Sequence, residues 1–119
     1  MKNTVVIGAS PNPQRYAYLA VQSLRAHGHP VTALGLKSGK IDDVEIHTDR
    51  PELADIDTVT LYVGPSHQEF WFDYILSLHP KRIIFNPGTE NSSSLQLAES
   101  HGIEVLEACT LVMLSIGNY

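Results

Sequence analysis

Apolar residues along this chain follow two rhythms. Short, nearly unbroken runs occur at Thr4–Gly8 (TVVIG), Val31–Leu36 (VTALGL), Asp57–Gly64 (DTVTLYVG), Arg82–Asn86 (RIIFN) and Ile103–Ala108 (IEVLEA). Such runs suit strands of a parallel sheet buried on both faces. Between them the apolar residues take helical spacing. Ala17, Ala20, Val21 and Leu24 lie along one helical face, an aromatic-rich segment predicts a helix over Ser66–Leu78, and Leu95 and Ala98 mark a third helix.

Local signals set the boundaries. Asn12 followed by Pro13 reads as a helix N-cap with proline in the first turn, and Gly28 with Pro30 reads as that helix's stop. Ser66 with Glu69 matches a capping box, Pro80 ends the aromatic helix, and Gly102 ends the third. KSGKIDD reads as a polar turn. VEIHT (Val44–Thr48) alternates and predicts a small extra strand, RPELADI predicts one helical turn, and the tail Cys109–Ile116 predicts a closing turn or helix. Strands alternating with helices predict one α/β domain over residues 1–119. Its expected form is Rossmann-like and doubly wound, a mostly parallel five- to six-stranded sheet with helices on both faces.

Composition narrows the function classes. The 119 residues fit one domain with a real core. A net charge of -5 argues against nonspecific nucleic-acid binding, which needs surplus cations. The single cysteine, Cys109, permits no internal disulfide, and no apolar stretch reaches the length of a signal peptide or membrane span. The expectation is a cytoplasmic protein with no nucleic-acid or membrane partner.

In a doubly wound sheet, ligands bind beyond the carboxyl ends of the strands. That rule selects the segments Gly8–Tyr16, Gly35–Lys40, Val63–His67 and Asn86–Thr89, with Gly8, Ala9, Ser10, Pro11, Arg15 and Tyr16 as candidates after the first strand and Gly35, Leu36 and Lys37 after the second. The candidates after the third core strand are Val63, Gly64 and Pro65, and those after the fourth are Asn86, Pro87 and Gly88. The first turn is the richest. Gly8 removes bulk, a helix start follows, Ser10 adds a hydroxyl donor, and Arg15 offers a fork suited to phosphate. GASPNPQ is not the G-x-G-x-x-G dinucleotide fingerprint. No acid follows LGLKSGK to hold an NAD ribose; Lys37 and Lys40 stand there instead. A cation there suits a ligand with a phosphate on its adenosine ribose, as in NADP and coenzyme A.

The remaining chemistry-bearing residues read as structural. Phe70, Trp71, Phe72 and Tyr74 crowd one helix and cannot all face inward, so they predict core together with a surface suited to a homodimer. The six histidines lack metal-ligand spacing, and only His67, after VGPS, is placed to touch a ligand. Cys109 has no neighbouring base in the sequence and reads as a small packed residue. Asp42 and Asp43 read as solvated turn residues.

VVIGASPNPQRYAYLAVQSLRAHGHPV closely resembles the opening of the small, stand-alone CoA-binding domain proteins, whose domain is similar to the CoA-binding domain of the succinyl-CoA synthetase α subunit. The resemblance continues through ALGLKSGK, PELADIDTVTLYVGP, NPGTEN and the late Cys109. It implies a Rossmann-like fold holding coenzyme A or an acyl-CoA by its adenosine diphosphate part. Gly8, Ala9, Ser10 and Arg15 would face the diphosphate, Lys37 with the Gly35–Leu36 backbone the adenosine end, and Val63, Gly64 and Pro65 the nucleotide. The family often has Asp-Arg before its late cysteine, where this chain has Glu107-Ala108. The succinyl-CoA synthetase α subunit carries its phosphorylated histidine on a second domain, which has no counterpart here, so ligase chemistry does not carry over. The reading is a nucleotide-binding module without catalysis of its own. An NADP-binding redox enzyme or sensor, and an interaction protein with a decayed nucleotide site, are the alternatives.

Overall fold

The computed structural model describes all residues, Met1–Tyr119. Seven strands form one sheet: β1 Thr4–Ile7, β2 Val31–Leu34, β3 Gly39–Ile41, β4 Val44–His47, β5 Thr58–Leu61, β6 Arg82–Phe85 and β7 Glu104–Glu107. Their order is β3-β4-β2-β1-β5-β6-β7, and every pairing is parallel except β3 with β4. The helices are α1 Tyr16–Ala26, α2 Glu69–Ser77, α3 Ser92–Ser100 and α4 Thr110–Ile116.

The central strands β1, β5 and β6 are buried at every position, as unbroken apolar runs require when both faces are covered. One face packs under α2 and α3, with Trp71, Phe72, Ile75 and Ala98 set against Val5, Ile7, Val59 and Phe85. The other packs under α1 and α4, with Ala17, Val21, Leu24 and Leu114 against Val6, Ala33 and Ile46. The chain order runs outward from β1 in both directions. The switch point therefore falls between β1 and its neighbours, and the loops after β1, β2, β5 and β6 open there together.

The structure corrects four local expectations. The sheet has seven strands, not five or six, because Lys37–Asp43 is not simply a turn: Gly39–Ile41 pairs back on β4 through a two-residue hairpin turn, with Asp42 at φ 53°. Asp43 is not merely solvated either, since Arg25 Nη2 donates to it at 2.5 Å and holds its carboxyl below the usual range. The segment Pro51–Ile56 forms no helical turn. The aromatic helix begins at Glu69, after a separate 3₁₀ turn over Pro65–His67, and Ser66 caps nothing. Within that helix Trp71 and Phe72 are buried, while Phe70 is 65% exposed and lies under the Arg50 guanidinium at 4.2 Å.

Candidate ligand-binding site

The β1 turn is pressed against the end of β2. Gly8 N–H and Ala9 N–H both donate to Leu34 O at 2.9 Å. A Cβ on Gly35 would stand 2.1 Å from Ala9 O, so only glycine allows this approach. Gly8 is constrained on the other side: its φ is +94°, and a Cβ there would meet Tyr62 O at 2.9 Å. These two glycines draw the ends of β1, β2 and β5 together.

The turn then spends its own side chains. Asn12 N–H donates to Ser10 Oγ at 3.1 Å and Gln14 N–H to Asn12 Oδ1 at 3.0 Å. Because Asn12 is used in this way, it does not cap the helix, and α1 starts at Tyr16 instead of near Pro13. Its N-cap residue is Arg15, whose side chain makes no capping bond. The first two amides of α1, those of Tyr16 and Ala17, are therefore open, with the positive end of the helix dipole behind them.

These groups line a cleft of about 930 Å³ at the carboxyl ends of β1, β2, β5 and β6. The β1 turn contributes Gly8, Ala9, Ser10, Asn12, Arg15, Tyr16 and Ala17, and the β2 end contributes Gly35, Leu36 and Lys37. Tyr62, Val63, Gly64 and His67 come from the β5 end, Phe70 and Trp71 from α2, and Pro87, Gly88 and Thr89 from the β6 end. Arg15 and Lys37 are both exposed, and neither is in a salt bridge. No carboxylate lines the cleft, although the chain has 13 Asp and Glu against 8 Lys and Arg. The local sign is opposite to that of the whole molecule, which suits an anionic ligand. The Tyr62 hydroxyl is buried without a hydrogen-bond partner, and burial, with Cys109 beside it, pushes its pKa up. It stays protonated at neutral pH.

Twelve of the selected residues meet in this cleft, and three do not. Pro11 packs toward Gly39, where a Cβ would approach its own Cβ to 2.8 Å. Pro65 opens the 3₁₀ turn, away from the lining. Asn86 is buried beneath the floor, donating from Nδ2 to Thr60 Oγ1 and Leu61 O while its Oδ1 accepts from Thr110 N–H. It ties β6 to β5 and to the start of α4. Reasoning from the sequence did not single out Ala17 or Tyr62 as lining residues, reached Asn12 and Thr89 only as members of strand-end segments, and read Phe70 and Trp71 as core or interface. Their signal is modest: Tyr62 and Thr89 sit within two residues of a strand-end glycine, Asn12 lies in the β1 turn, Ala17 in the first turn of α1, and the aromatics in the first turn of α2.

No curated protein matches the chain. Among solved structures it is similar over its full length to an uncharacterized protein, with 48% identity, a TM-score of 0.97 and 98% of that chain covered. A hypothetical protein from Pyrococcus horikoshii OT3 shares the fold at 22% identity and TM-score 0.87, over 97% of this chain and 82% of that one. So does a dinucleotide forming acetyl-coenzyme A synthetase 1 from Ca. Korarchaeum cryptofilum, solved in complex with phosphate and ADP, at 15% identity and TM-score 0.73. That match covers 89% of this chain but only 25% of the synthetase. No helix is long and apolar enough to cross a membrane. The sequence matches the CoA binding domain model over residues 2–115, nearly its whole length, and the chain belongs to that family.

Proposed function

We propose that this protein is a cytoplasmic module that binds coenzyme A or an acyl-CoA in the strand-end cleft and carries out no chemistry on it. The observation that carries the reading is the cation-lined, carboxylate-free cleft in an acidic chain, at the switch point of a CoA-binding domain fold. The open amides of α1 and the Arg15 guanidinium receive the diphosphate. Lys37, across the β1–β2 junction, receives the ribose phosphate. The backbone at Gly35 and Leu36 leaves room for the flat base and ribose, and Val63 and Gly64 line the nucleotide.

NADP is the second reading, because Lys37 without a neighbouring acid serves a 2′-phosphate as well as a 3′-phosphate. A thermal-shift panel of CoA, acetyl-CoA, NADP and NAD on the purified protein separates them. The expected outcome is a rise in Tm with CoA or acetyl-CoA that grows with concentration, and none with NAD. A rise with NADP and none with CoA would replace the first reading by the second. Silence from all four would favour an interaction protein whose site has decayed.

A further inference from the structure

Gln68 lies beneath the β5 side of the cleft, between the 3₁₀ turn and α2, and is 0% exposed. Its Nε2 donates to two main-chain carbonyls, Val63 O at 2.9 Å and Thr89 O at 2.5 Å. These belong to two different loops, after β5 and after β6, and both residues line the cleft. Its Oε1 is buried with no partner. The amide is thus anchored through its donor end alone.

A trans peptide aims its C=O and N–H in opposite directions, and the chain has no cis bond. With Val63 O drawn down onto Gln68, the Gly64 N–H of the same peptide points away from the interior. That N–H donates to no group of the protein. A Cβ on Gly64 would meet nothing within 4 Å, so the space beside it is open. Released from Gln68, the Val63 and Thr89 carbonyls would be free to turn toward the cleft and repel an anion.

We propose that Gln68 is a positioning residue that withdraws two carbonyl oxygens from the cleft and presents the Gly64 N–H to a phosphate oxygen of the ligand. The inference rests on the phosphorylated-nucleotide reading above. The test compares wild type with Gln68→Met, which keeps length and bulk but has no N–H. Binding of ADP and of adenosine is followed by NMR titration. ADP affinity is expected to fall about tenfold or more, with adenosine held within about twofold, because only ADP presents phosphate oxygens. An equal loss for both ligands marks a merely structural residue and overturns the proposal, as does no loss for either. Should Gln68→Met fail to fold, the wild-type Gly64 amide proton decides. It is expected to move downfield with ADP and not with adenosine, and an equal response or no response overturns the proposal. Wild type that binds neither CoA nor ADP removes the nucleotide reading and this inference together. Wild type that binds ADP no better than the variant does removes this inference alone.

Discussion

Helices α1 and α3 each follow a parallel strand, and each has an extended residue at its N-cap. They begin differently. At α3, Asn91 Oδ1 accepts from Ser93 N–H at 3.1 Å and Ser94 N–H at 3.3 Å, so the end is closed by its own side chain. At α1, Arg15 holds φ −82° and ψ 142°, the conformation a capping residue needs, yet caps nothing. A Ser, Asn or Asp cap is typically worth about 1 kcal/mol over a residue that cannot cap. The α1 start forgoes that stability and faces the cleft; the α3 start takes it. Similar topology therefore yields a closed structural joint in one place and an open helix start facing the cleft in the other, and the difference lies in which side chain stands at the N-cap.

The largest effect should come from undoing the contact that holds the α1 start over the cleft. Gly35→Ala puts a methyl 2.1 Å from Ala9 O, and a main-chain carbonyl cannot step aside without moving the β1 turn. A loss of about 3 kcal/mol is expected, the upper end of ordinary point substitutions, read as a lower midpoint in urea unfolding. An unchanged midpoint would mean that the β1 turn does not sit on the β2 end, and the contrast between the two helix starts would lose its basis. Next come two substitutions that should cross. Arg15→Ala should weaken CoA binding by about 1–3 kcal/mol in calorimetry, as for a lost charged hydrogen bond, with little change in Tm. Asn91→Ala should lower stability by about 1 kcal/mol and leave CoA affinity alone. If Asn91→Ala weakened CoA binding as much as Arg15→Ala, the two starts would not be functionally distinct.

These differences were only partly legible in the sequence. β1, β5 and β6 announced themselves because strands buried on both faces must be largely apolar; β2 and the edge strand β7 showed through short apolar runs although they are only partly covered. β3 did not, since Gly39-Lys40-Ile41 has a single apolar side chain and becomes a strand through its pairing with β4. The α1 start was read too early because Asn12 and Pro13 look like a cap, and nothing local shows that Asn12 is spent on Gln14. Asn86, taken for a ligand contact from its place after a strand, is consumed by Thr60, Leu61 and Thr110, partners 24 to 26 residues away. Gln68 left no trace in any pattern, because its two carbonyl partners lie on separate loops that only the fold brings together. Position at a strand end is visible in a sequence; how a side chain divides its hydrogen bonds is not.

The smallest effect is the most pointed, because it asks one residue to change sides. Arg15 already has extended N-cap dihedrals, so Arg15→Ser needs no backbone adjustment to place a hydroxyl on the second or third amide of α1. The α1 start would then be closed in the manner of α3. A gain of about 0.5–1 kcal/mol in unfolding free energy is expected. CoA affinity should fall at least as far as in Arg15→Ala, since the cation is lost and an open amide is taken as well. Urea unfolding and calorimetry on the same preparation test both halves. Higher stability with unchanged CoA affinity would show that the uncapped start is incidental to binding. Higher stability with weakened affinity would show that this helix is left open at the expense of stability because a ligand closes it.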